Sequence, residues 1–296
     1  MAQPTNQLQN TKQFFSSEVI KGKFEELLGK KAQGFLTSVL QIINSNNLLA
    51  SADHNSLYMA AATAATLDLP IQPSLGFAYI VPYKGQAQFQ IGWKGLVQLA
   101  QRTGQYKSIN VIEVYANQFK SYNSLTEVIE ADWTAEGKGE VVGYCAFFSL
   151  LNGFEKTSYW TKEKVTKHAS KYSQAFKSER GISPWKDKDQ FHEMAKKTVL
   201  KNTLSKYGPM SIEMQKAVTF DQGVVEDIEH DVVSYPDNQI AETNHDLERL
   251  RLLLDEVQTA EEFWNALNKS TEEIKEELSF EIALTKNRLG INEDAV

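Results

Sequence analysis

Gly76-Phe77-Ala78-Tyr79-Ile80-Val81-Pro82-Tyr83-Lys84-Gly85-Gln86-Ala87-Gln88-Phe89-Gln90-Ile91-Gly92-Trp93-Lys94-Gly95-Leu96 is the stretch that decides the fold. Phe77, Tyr79, Val81 and Tyr83 recur at every second position, the period of a half-buried strand. Lys84-Gly85 reads as a tight turn, and Gln86 to Ile91 as the returning strand, with Phe89 and Ile91 keeping the alternation. Gly92 leads into a short helix, Trp93 to Arg102, closed by Gly104. A hairpin that runs straight into a helix starts an antiparallel unit, not a parallel crossover.

Upstream, Phe24 to Asn44 reads as helix, with Phe35, Val39, Ile42 and Ile43 near helical spacing. A second, Ala-rich helix over Leu57 to Leu67 has Ser56 as N-cap and stops before Pro70. Residues 1–11 are polar, rich in Gln and Asn, and read as disordered, with no secretory signal. Residues 1–30 are therefore expected to form a flexible or oligomerisation arm. Leu36, Val39, Leu40 and Ile43 suit self-association and core packing equally. Downstream, strands are expected at about 107–116, 125–131, 140–150 and 154–160. A helix from Thr161 to about Tyr172 follows, then a polar loop from Ser173 to Lys186. The next helix is opened by a capping box of Asp187 and Gln190 and ended by Gly208-Pro209. This order predicts an α+β fold. An antiparallel sheet with a β-hairpin packs against helices, with N-terminal helices and a small helical C-terminal tail. The expected divisions are a core over 31–220, an acidic linker over 221–245 and a helical module over 246–296.

The chain of 296 residues has a net charge of -7, but the charge is not evenly spread. Residues 1–220 hold 25 Lys and Arg against 18 Asp and Glu, whereas 221–296 hold 6 against 20. Within 156–216 the count is 14 basic to 6 acidic. A basic body with an acidic tail suits a protein that handles polyanions, and equally a solvated surface that segregates its charges. The one cysteine, Cys145, forms no internal disulfide, fits a reducing cytoplasm, and lies in an apolar run as a buried thiol. No apolar run is long enough to cross a bilayer, so no membrane partner is expected.

Missing motifs narrow the chemistry. No phosphate-binding loop G-x-x-x-x-G-K-[ST] occurs, so nucleotide-driven motors lack their cradle. His54, His168, His192, His230 and His245 are scattered without ligand spacing. No nucleophile elbow is present, and no paired carboxylates suggest a metal-dependent nuclease. The sequence therefore predicts no catalytic residues, no metal site and no cofactor.

Two stretches carry a family resemblance. The first holds Leu67-Asp68-Leu69-Pro70-Ile71, then Gly76 to Lys84, Gln90-Ile91-Gly92-Trp93-Lys94-Gly95-Leu96 and Arg102-Thr103-Gly104. The second holds Ser183-Pro184-Trp185, Met194-Ala195-Lys196-Lys197-Thr198 and Lys206-Tyr207-Gly208-Pro209-Met210-Ser211. In this order, over about 57–211, they resemble the RecT family of phage recombination proteins. Gly208 departs from the pattern, where Leu is usual. The resemblance implies a protein that binds single-stranded DNA and anneals complementary strands in homologous recombination without ATP. It also implies oligomers, as rings or helical filaments, and work beside an exonuclease. The setting it implies is the cytoplasm of a bacterial host. The acidic tail has three open readings: recruitment of the exonuclease or a host single-strand-binding protein, occupation of the basic groove, or solubility.

An annealing protein must extend a strand yet leave its pairing edges free, so it grips phosphates and sugars. The candidate DNA-binding residues are therefore basic side chains with aromatics among them. In the first stretch they are Lys84 at the hairpin tip, Trp93, Lys94, Arg102 and Lys107. In the second region they are Lys171, Tyr172, Lys177, Arg180, Trp185, Lys186, Lys196, Lys197, Lys201 and Lys206. Lys197 and Lys201 are four apart and share a helix face, expected to line a groove. Tyr79 and Tyr83 are weaker candidates. Trp93 fits a stacking platform and a core equally, and Trp185 is expected to support bases by stacking. A strand-binding protein that does not anneal, a metal-dependent nuclease and a scaffolding protein are the alternatives.

Overall fold

The computed structural model describes residues 4–177, 183–228, 230–235, 250–251, 253–254, 257–268, 275 and 278–289. Two helices, Pro4–Phe15 (α1) and Glu18–Leu28 (α2), stand where the sequence suggests a flexible arm. Phe15 and Phe24 are buried, and the Thr11 hydroxyl donates to the Ala50 carbonyl at 3.0 Å. The polar run at 1–11 conceals this, because the anchoring side chains Phe15, Ile20 and Phe24 lie beyond it. The helix expected as one piece over 24–44 is cut at Gly29, whose φ of 54° is left-handed. A 3-10 turn, Gly29–Lys31, leads into Ala32–Ser45 (α3), and a short Asn47–Ala50 (α4) follows.

His54–Thr66 (α5) is capped by Asp53, whose carboxylate accepts from the Ser56 N–H at 2.8 Å. Ser56 is thereby free of the capping role, and its hydroxyl accepts from the Ala87 N–H at 2.9 Å. That bond ties α5 to the hairpin of Ala78–Tyr83 (β1) and Gln86–Ile91 (β2), registered from Ala78↔Ile91 to Tyr83↔Gln86. Lys84 and Gly85 both have positive φ, 49° and 79°, as a two-residue hairpin turn demands. Buried Ala60, Ala61, Ala64 and Ala65 let α5 approach β2 closely.

Trp93–Arg102 (α6) precedes the strands Tyr106–Tyr115 (β3), Phe119–Asn123 (β4), Val128–Ala131 (β5), Val141–Leu150 (β6) and Glu155–Thr161 (β7). Next come Lys162–Tyr172 (α7), Gln174–Lys177 (α8), a 3-10 turn Pro184–Lys186, Lys188–Tyr207 (α9) and Ile212–Phe220 (α10). The body ends in a hairpin of Val224–Asp227 (β8) and Val232–Ser234 (β9). The fold is α+β with antiparallel pairing throughout. Among the described residues the strands form four small sheets, β1-β2, β3-β6-β7, β4-β5 and β8-β9. Asp187 caps α9 through the N–H groups of Asp189 and Gln190, as the capping pattern implies.

The body runs from Met1 to Tyr235, so the break falls later than Phe220. The expected linker begins instead with β8, which packs on α5 and β2 and buries Val225. The acidic residues around it hid a strand in which Val225 faces inward. The rest of that linker, 236–245, and the first residues of the expected helical module, 246–249, lie outside the described residues. The second unit contains Ala260–Asn268 (α11) and Ser279–Leu289 (α12). Leu250, Leu254, Val257, Phe263, Leu267 and Leu278 form its own core. Among the described residues no helix is long and apolar enough to cross a membrane.

Candidate nucleic-acid interface

The motif Gly92-Trp93-Lys94-Gly95 owes its glycines to packing. The Gly92 N–H donates to the Phe77 carbonyl at 2.8 Å. A Cβ on Gly92 would strike the Gly76 carbonyl, and one on Gly95 the Phe77 carbonyl. Bare backbone therefore seats α6 against the strand entry and fixes where Trp93 and Lys94 emerge. The half-buried Trp93 donates its Nε1–H to Glu193 at 2.5 Å. The Lys94 and Lys196 ammonium groups lie 5.8 and 5.4 Å from the centroid of the Trp93 ring. Lys196 also pairs with Glu193 at 2.5 Å and with Glu113 at 3.7 Å. Burial disfavours the Glu193 carboxylate, but Lys196 and Trp93 outweigh it and hold the group below the usual carboxylate range. Two lysines facing two carboxylates make this first patch charge-balanced.

A second patch follows from the sheet. Trp160 is registered directly against Tyr144 in the β6–β7 ladder, so both project from the face that α9 covers. The Tyr144 hydroxyl lies 2.9 Å from His192 Nδ1 on α9. On α7, Lys164, His168 and Tyr172 recur at every fourth residue and share one side. The rings of Trp160, His168 and Tyr172 form a ladder with centroids 5.6 and 4.6 Å apart. Lys164 sits 4.2 Å over Trp160 and Lys171 5.3 Å over Tyr172. Burial, with Lys201 and Lys171 nearby, pulls His168 below its ordinary value and keeps it neutral. Tyr172 is 55% exposed, an open aromatic face beside cations.

Helix α9 joins the two patches, and its lysines do not all face outward. Lys197 is 5% exposed, so it is not on a groove wall. Its Nζ donates to Asp221 Oδ1 at 2.7 Å, and Lys201 Nζ donates to Oδ2 at 2.7 Å. Oδ1 also accepts from the Ile91 N–H at 3.2 Å. Burial opposes the Asp221 charge, yet the two ammonium groups hold its carboxyl below the usual range, while burial pulls Lys197 down. The reason for Lys197 is crowding: α9 packs on α6, β3, β6 and β7, so little of its circumference is left for solvent.

The remaining candidates are dispersed. Trp185 is buried edge-on against Phe191 at 5.5 Å and offers no platform. Arg102 spends its guanidinium on the Leu67 and Asp68 carbonyls at 2.6 and 2.8 Å, closing the end of α5. Lys84, at the hairpin tip, lies about 20 Å along β2 from Trp93, with its ammonium over Tyr83. Lys107 and Lys206 are exposed at the far ends of β3 and α9, where the Tyr106 hydroxyl donates to the Pro209 carbonyl at 2.9 Å. Lys177 and Lys186 are exposed on either side of 178–182. Arg180 lies outside the described residues. Sequence reasoning missed Lys164, His168 and Glu193 as parts of this surface, and Asp221 as the buried partner of Lys197 and Lys201. The four-residue spacing on α7 was a readable signal for the first two.

A family model described as the RecT family matches residues 33–234, further on both sides than the motifs alone. The uncharacterized protein YqaK of Bacillus subtilis (strain 168) is 52% identical over 203 residues, 69% of this chain and 68% of its own length. Protein RecT of Escherichia coli (strain K12) is 28% identical over 183 residues, 59% of this chain and 65% of its own.

Proposed function

The chain belongs to the RecT family, and from that premise we propose that it binds single-stranded DNA and anneals complementary strands in recombination. The DNA lies along α9, its phosphates met by Lys94, Lys196, Lys201, Lys164 and Lys171, and its bases supported by Trp93 and Tyr172. The observation that carries this reading is the pairing of lysines with aromatic rings in two patches on either side of α9. Such contacts hold the backbone and leave pairing edges open. Annealing proceeds without nucleotide hydrolysis, because nearest-neighbour alignment along an extended strand is all the reaction requires. The protein acts as an oligomer, a ring or helical filament, in the cytoplasm. It works there with an exonuclease that exposes the strand and a host single-strand-binding protein.

Mixing complementary labelled oligonucleotides without nucleotide tests it. Pairing should accelerate at an optimal protein-to-DNA ratio. Tight binding with no acceleration at any ratio would reduce the protein to a strand-binding role, and cleavage in magnesium or manganese would make it a nuclease.

A further inference from the structure

We infer that Lys197, Asp221 and Lys201 act as one buried charge device that delivers a single positive charge to a DNA phosphate at Lys201, with Asp221 and Lys197 as positioning residues. The inference rests on the DNA-binding reading above. One carboxylate holds two ammonium groups, each at 2.7 Å, so the triad keeps one unit of positive charge. The Asp221 and Lys197 side chains are 1% and 6% exposed, whereas that of Lys201 is 29% exposed. The surplus charge therefore has one outlet, at Lys201, on the side where His168 and Lys171 stand. Lysine is a compact charge on a flexible stem, and fixing its ammonium in advance lowers the ordering cost of binding. The Ile91 N–H and the Gln222 N–H, which donates to the Phe89 carbonyl at 3.0 Å, hold Asp221 against β2. The carboxylate thus has a fixed position from which to aim Lys201.

The charge count makes a prediction that ordinary contact reasoning does not. Lys197 cannot reach DNA, yet replacing it should weaken DNA binding, because Asp221 is then fully neutralised by Lys201. The test measures affinity for a single-stranded oligonucleotide against salt in the full chain. K201M should lower the salt slope by about 0.7, one phosphate contact. K197M should lower it by the same amount. K197M with D221N should restore the wild-type slope, since Lys201 then carries its charge unopposed. A purely structural role for Lys197 and Asp221 predicts no restoration, and that result would overturn the device. An unchanged slope in K197M would overturn it as well. Should K197M fail to fold, the pair of K197M/D221N and K197M/D221N/K201M decides: equal slopes sink the proposal, and a loss of about 0.7 on the third substitution supports it. Wild-type protein that binds in a salt-dependent way while all variants match it removes the device alone. Wild-type protein that does not bind removes both this and the underlying reading.

Discussion

Lys196 and Lys197 differ by one position and about 100° of helix rotation, and that rotation separates a cation over the Trp93 ring from one sealed against Asp221. Charged residues are buried only when paired, and breaking such a pair costs about 3–5 kcal/mol. Asp221→Ala should therefore lower stability by about that amount in denaturant unfolding. The pH dependence has a definite sign. The folded carboxyl lies below its ordinary 3.8, so its stabilisation is complete above that value and is lost as pH falls below it. Unfolding midpoints measured from pH 7 to pH 3 should fall less steeply in D221N than in wild type, and parallel curves would contradict the assignment. Glu193 occupies the donors of Trp93 and Lys196 that a phosphate would use. Glu193→Gln should raise affinity for single-stranded DNA at low salt roughly five-fold, from removal of a repulsion of about 1 kcal/mol. Titration by fluorescence anisotropy checks it, and weaker binding would show that Glu193 serves mainly to orient Trp93. Cys145 is buried and its thiol is pushed up to about 12. A thiol reagent at pH 8 should label it slowly in native protein and quickly in denatured protein.

Elements carry their own constraints. The entry of α6 depends on two glycines with no space for a side chain, so Gly95→Ala forces apart the Phe77 backbone and α6. The expected loss is about 1–3 kcal/mol, with Trp93 moved from Glu193. A lower thermal midpoint together with a changed tryptophan emission would register both effects. At the N-terminus, α1 and α2 pack on α3, and α1 also packs on α4. Phe24→Ala should cost about 3–5 kcal/mol, as for any buried aromatic truncation. A flexible arm would tolerate the same change, so denaturant titration separates the two descriptions. The capping of α9 by Asp187 and the turn at Lys84-Gly85 were legible in the sequence because both are local. The hairpin β8–β9 was not, since Val225 gains its meaning only from α5 and β2 beside β8.

At the scale of the whole molecule, charge is divided between the two units. Residues 1–235 hold 25 basic and 23 acidic side chains, and 236–296 hold 6 and 15. Truncation after Tyr235 should leave the body folded on its own core and raise its affinity for single-stranded DNA at low salt. Binding unchanged across salt concentrations would make the acidic unit electrostatically irrelevant to DNA. The amino-acid sequence by itself determined the α+β class, the hairpin feeding α6, the ends of α9 and the family pattern. Those features rest on periodicity, turn geometry and capping, which act within a few residues. It could not determine which cations and rings face outward. Trp185, Lys197 and Arg102 look like their exposed neighbours in the chain, and only packing turned them inward or committed them to backbone carbonyls. Burial and ion pairing depend on partners such as Asp221, 24 residues from Lys197, and only the tertiary structure brings those partners together.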